Sequence, residues 1–146
     1  MRRWPGLVLA LLSLSAPLWA STSTPDYSPP PGALNPQVTQ TNIAQTICKP
    51  GWTRSVRPPA QYTGALKRKQ IAERHLPGPP GAYEEDHFVA LNLGGHPTSP
   101  DNLWPQPIQQ AQAKDRLEYA LNRAVCAGRM TLATAQAKIK DPSAWK

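Results

Sequence analysis

The stretch from Tyr83 to Pro105, YEEDHFVALNLGGHPTSPDNLWP, gathers acidic residues, a histidine and a glycine turn in one short span. Asp86 and His87 stand side by side, and the apolar run Phe88-Val89-Ala90-Leu91-Asn92-Leu93 follows them. Gly94-Gly95 then suits a sharp reversal, because glycine enters left-handed backbone without a steric penalty. After a polar loop the chain returns through Asn102-Leu103-Trp104. This grouping reads as a hairpin carrying a polar site rather than as a core strand. Glu84 and Glu85 suit a solvated strand edge. Asp101 suits a turn cap, His96 a loop surface, and Trp104 a place in the core.

Working outward, Ala113, Leu117, Ala120, Leu121, Ala124 and Val125 recur at the spacing of one helix face, and Gly128 ends that helix beyond Cys126. Thr131 caps a further helix, TLATAQAKIK, which stops at Asp141-Pro142. Leu132, Ala135 and Ile139 pack it onto the domain, with Trp145 over part of that packing. On the other side of the hairpin, Tyr62 to His75 has a helical pattern, capped by Thr63 and stopped by Pro77. Lys67, Arg68, Lys69 and Arg74 surround its exposed side, and His75 sits at its surface end. Such a charge run is first a solvated helix face and second a phosphate-contacting one. Val38 to Pro59 is loop-rich, with short extended pieces at Thr46-Ile47-Cys48 and Trp52-Thr53 around Pro50-Gly51.

The first twenty residues carry the three parts of a secretory signal: Arg2-Arg3, the apolar Leu7 to Leu14, and Ala20 as a cleavage point. The apolar part is shorter than the roughly 20 residues that a membrane span needs. Export to the periplasm or the medium is expected, with no membrane attachment after cleavage. Removal of residues 1–20 leaves 126 of the 146 residues, with 14 Lys plus Arg against 9 Asp plus Glu. That length holds one small domain, here 37–146, after a Pro/Ser/Thr-rich tether at 21–36. A net charge of +5 on that remainder suits nucleic acid, anionic lipid or an acidic cell surface. The two cysteines, Cys48 and Cys126, lie in no metal-binding spacing, and in an oxidising compartment they pair as one disulfide.

Glu85-Asp86-His87, the Gly94-Gly95 hairpin, Asn102-Leu103 and Lys114 together resemble the ββα-metal motif of the HNH-family nucleases. The resemblance covers Tyr83 to Asp115. It implies an α+β domain whose ββα-metal hairpin and helix are flanked by further helices. It also implies hydrolysis of nucleic-acid phosphodiesters, DNA first, with a divalent cation (Mg²⁺, Mn²⁺ or Zn²⁺). On that pattern Asp86 is a metal ligand and His87 is the general base, since a neutral imidazole takes a proton from water near pH 7. Asn102 holds the imidazole and the hairpin in register. Lys114 matches the family's helix lysine and is placed to touch a phosphate.

The pattern departs from the family on the helix. The third metal-site residue falls nine positions after the Asn, at Ala111, which cannot ligate a metal. Asp115, one turn further, is the preferred substitute, and Glu118, about two turns further, the next. Adjacent strand residues also point to opposite faces, so a bulge or strand end at Glu85-Asp86 is expected to bring Asp86 and His87 together. A degenerate site would favour a non-catalytic module for DNA or an anionic envelope polymer. A compensating carboxylate beside Asp86 would favour catalysis. The sequence identifies no immunity or inhibitor partner.

Overall fold

The computed structural model describes residues 23–145; the expected signal peptide lies outside them. The domain is α+β, closed by the Cys48–Cys126 disulfide, with Cα atoms 5.6 Å apart. In chain order it has α1 (Trp52–Val56), α2 (Ala60–Glu73), β1 (Tyr83–His87), β2 (Leu103–Pro107), α3 (Ile108–Cys126) and α4 (Leu132–Ile139).

β1 and β2 form an antiparallel ribbon whose register runs without interruption from Tyr83 opposite Pro107 to His87 opposite Leu103. The prolines dictate which pairs exchange hydrogen bonds. Pro105 and Pro107 have no N–H to donate, so Glu84–Gln106 and Asp86–Trp104 are the bonded pairs. The backbone groups of Tyr83, His87 and Leu103 therefore face outward, and each meets a side chain. Lys67 Nζ donates to Tyr83 O at 2.9 Å, Gln70 Nε2 to Leu103 O at 2.9 Å, and Lys114 Nζ to His87 O at 3.0 Å. Helices α2 and α3 thus block both free edges of the ribbon, which would otherwise offer unpaired backbone to another chain.

The connection between the strands is part of the core. Val89, Ala90 and Leu93 pack with Leu121 and Val125 of α3 and with Leu132, Ala135 and Ile139 of α4. Burying an aliphatic side chain of this kind contributes roughly 1.5–3 kcal/mol. Gly94 takes φ 77°, as the turn requires, and a Cβ on Gly95 would stand 1.7 Å from Val89 O. Trp104 is buried, and its ring meets Phe88 edge-on at 6.0 Å and lies 6.4 Å from Trp145. Thr131 caps α4, its hydroxyl accepting from Thr134 N.

Five local expectations differ. Thr46-Ile47-Cys48 lies in a turn rather than an extended piece, with Thr46 N and Cys48 N both donating to Ile43 O. The segment read as a tether is docked from Asp26 onward: Asp26 N donates to Arg74 O, Gly32 N and Ala33 N to Asp101 O, and Asn35 N to Gly94 O. Its prolines limit helix and sheet formation, yet the residues between them keep N–H groups that another loop can accept. α2 begins at Ala60, directly after Pro58-Pro59, so Thr63 lies inside the helix and its hydroxyl donates to Ala60 O. Trp52-Thr53 opens the short helix α1 rather than an extended piece, with Gly51 at φ 81° before it. No bulge interrupts the ribbon at Glu85-Asp86, where both residues keep their register partners; the irregular position is the strand end, His87.

Candidate functional site

Strand pleating divides the polar residues of β1 between two faces. Glu84 and Asp86 share one face with Trp104 and Gln106, while Glu85 and His87 share the other with Pro105 and Leu103. Asp86 and His87 therefore belong to different surroundings.

On the first face stands Lys114, fully buried in α3. Its Nζ lies 2.7 Å from Asp86 Oδ2, in an ion pair rather than a well-aligned hydrogen bond, and it also contacts Glu118 Oε1. Burial alone would lower the Lys114 pKa, but Asp86 and Glu118 more than offset that and hold it above its ordinary value. Burial lifts Glu118 to about 7; Lys114 opposes the rise and Asp86 adds to it. Glu84 and Asp115 are also raised, first by partial burial and then by repulsion from Asp86. Four carboxyl groups thus feel one another here, with the Lys114 ammonium as the cation between two of them.

The other face holds His87, itself buried. His87 Nε2 lies 2.9 Å from Pro97 O. A carbonyl only accepts, so Nε2 carries the proton and Nδ1 of the neutral ring keeps its lone pair. Burial is the main reason the His87 pKa falls below its usual value. The Pro97 hydrogen bond and Asp86 resist this, while Arg57 and Lys114 push it further down. The imidazole is therefore a neutral base at pH 7.

Asn102 is fully buried and works on the loop, not on the imidazole. Its Oδ1 accepts from Val89 N at 2.8 Å, and its Nδ2 donates to Val89 O and His96 O, both at 3.0 Å. It pins the two ends of the Gly94-Gly95 reversal, and so places Pro97, which holds His87. The expected contact from Asn102 to the ring is replaced by this relay. His96 is a turn cap, its Nδ1 accepting from Ser99 N at 3.0 Å.

The other expected residues distribute as follows. Lys114, expected at a phosphate, has no exposed surface and is spent on carboxylates. Of the two substitute ligands, Glu118 reaches the Lys114 ammonium that Asp86 also contacts, while Asp115 stays exposed and senses Asp86 only through space. The reversal follows from helix geometry: Glu118 is one turn after Lys114, on the same stripe. Along α2, Lys67 is taken by Tyr83 O, Arg74 binds Ser28 O, and Lys69 pairs loosely with Glu73 at 3.8 Å. Arg68 is exposed. Arg57 was not singled out by pattern, yet its charge acts on both Glu84 and His87. Its position just before Pro58-Pro59, which fix the chain direction into α2, was the available signal.

The donors as arranged do not fit a divalent cation. Asp86, Glu118 and His87 O converge, but on an ammonium. Among the described residues no three His, Cys, Asp or Glu side chains are grouped to hold a metal ion. Buried polar atoms without a protein hydrogen-bond partner on the same face are Trp104 Nε1, which only donates, the Gln106 amide, and Asp86 Oδ2, which the Lys114 ammonium already faces at 2.7 Å. No family model, curated protein or solved structure matches this chain. Function must be argued from the site itself.

Proposed function

We propose that this domain binds nucleic acid through its phosphates, on a hairpin-and-helix scaffold that resembles the HNH nucleases but carries its own cation. The observation that carries this reading is the fully buried Lys114, whose ammonium pairs with Asp86 and Glu118 and donates to the His87 carbonyl. The net charge of +5 that remains without residues 1–20 then belongs mostly to a surface from which Asp86 and Glu118 have been withdrawn. Such a surface gives sequence-independent, salt-sensitive affinity, with a Kd on the order of 10⁻⁴–10⁻⁶ M at physiological salt. Export belongs to the same proposal, and the disulfide supports an oxidising compartment.

A second reading, phosphodiester hydrolysis, is favoured by His87. Its ring is neutral and held by Pro97, and its Nδ1 lone pair is the correct acceptor for a proton from an attacking water. Arg57 and Lys114 are the cations whose charges reach that ring. A catalytic divalent ion would first have to displace Lys114.

The two readings part in one experiment. The oxidised chain is assayed for DNA and RNA retention, and for plasmid and RNA cleavage, with EDTA and with Mg²⁺, Mn²⁺ or Zn²⁺, beside His87→Ala. Retention that weakens with salt, without cutting under any condition, is the expected result. Cutting that requires metal and disappears in His87→Ala would replace the binding reading with the hydrolytic one. Neither retention nor cutting would reject both.

A further inference from the structure

On α2, Lys67 and Arg74 are taken by backbone carbonyls, and among the exposed cations elsewhere three gather in one place. Lys49, Arg123 and Arg129 are exposed, form no ion pair among the described residues, and line one open cavity of about 510 Å³. The Cys48–Cys126 disulfide and Asn122 complete its wall, and no Asp or Glu lines it. We propose that this cavity is the subsite for the phosphate backbone of nucleic acid. The inference rests on the binding reading above and gives it a location.

Three observations carry it. The disulfide joins Cys48 to Cys126 at the end of α3, so Lys49 is fixed beside Arg123 and Arg129. The guanidinium of Arg123 lies 5.5 Å from the centre of the exposed Tyr119 ring, which holds it at the rim instead of leaving it to roam. The C-terminal end of a helix ordinarily repels anions through its free carbonyls. Here Arg123 O, Ala124 O and Val125 O already accept from Ala127 N, Arg129 N and Gly128 N, so the negative end is capped. Asn122 is likewise committed, donating to Asn92 O at 2.8 Å, and it braces the wall without competing for the anion. A concave site with three unpaired cations and no carboxylate in its lining is complementary to a chain of phosphodiesters.

The test is the salt dependence of binding to a duplex oligonucleotide. Each Lys or Arg on a phosphate adds about 0.9 to the slope of log K against log salt. The triple variant Lys49→Ser/Arg123→Ser/Arg129→Ser should lose between about 2 and 3 from that slope. The control Arg68→Ser/Lys69→Ser should lose less than about 1. Arg129→Glu alone should weaken binding more than Arg129→Ser, and it supplies a milder variant should the triple one be poorly folded. Wild-type affinity and slope in the triple variant and in Arg129→Glu would overturn this subsite and leave the binding function standing. A wild-type chain that binds no DNA would remove both.

Discussion

Replacing Lys114 by Met tests the central assignment, because methionine keeps most of the volume and removes only the charge and its hydrogen bonds. Lys114 has no exposed side-chain surface, and Asp86 and Glu118 each keep only 14% of theirs. The variant therefore leaves two nearly buried carboxyl groups facing each other with no cation, and leaves His87 O unpaired at the ribbon edge. Breaking a buried pair by removing one partner costs about 3–5 kcal/mol. With a urea dependence of about 2 kcal/mol per molar, the unfolding midpoint should fall by roughly 2 M. Tryptophan fluorescence reports it, since Trp104 and Trp145 lie within this packing. The double variant Lys114→Met/Glu118→Gln should regain part of the loss, because it removes one of the stranded charges. A single variant within about 0.5 M of the wild type would refute the view of Lys114 as the resident cation of this face.

Gly95→Ala should be among the most damaging small substitutions, costing at least about 3 kcal/mol, because its Cβ would meet Val89 O at 1.7 Å; soluble yield and urea midpoint check this. Burial pushes Glu85 up to about 8, against the opposing charges of Lys67 and Arg74. The folded state then holds a proton that the unfolded state has released, so stability should fall as pH rises from about 4.5 to about 8. Urea midpoints at pH 5.5 and 8.5 measure that fall, and Glu85→Gln should flatten it. Replacing both Cys48 and Cys126 by Ser reopens a link of sequence separation 78, worth roughly 4.5 kcal/mol in lost chain entropy. The melting temperature should drop on the order of 15 °C.

The later half of the chain was legible because its signals are local. The stripe through Leu121 and Val125, the Thr131 cap and the Gly128 stop each concern residues within a few positions of one another, and α3 and α4 follow them. Lys114 was legible only as a helix lysine. Its partner Asp86 lies 28 positions earlier on another element, and helical spacing alone cannot distinguish a lysine that meets a carboxylate from one that meets water. Asn102 misled for a related reason: its value lies in matching backbone groups of Val89 and His96 across a loop whose path no periodicity reports. The Pro-rich segment was misjudged because composition counts side chains, whereas its docking uses the N–H groups of Asp26, Gly32, Ala33 and Asn35.

That docking orders events in time. Gly32 and Ala33 close onto Asp101, Asn35 closes onto Gly94, and Cys48 waits for Cys126, so these docking contacts cannot form until much of the later chain exists. Contacts of such long sequence separation delay folding, since loop entropy is lost before they form. A chain made from its N-terminus must carry the docking N–H groups of Asp26, Gly32, Ala33 and Asn35, and the Cys48 thiol, unpaired while α2, the ribbon and α3 emerge. The last-made helices therefore complete the first-made segment, and truncation within α3 should expose that segment to proteases rather than trim one end.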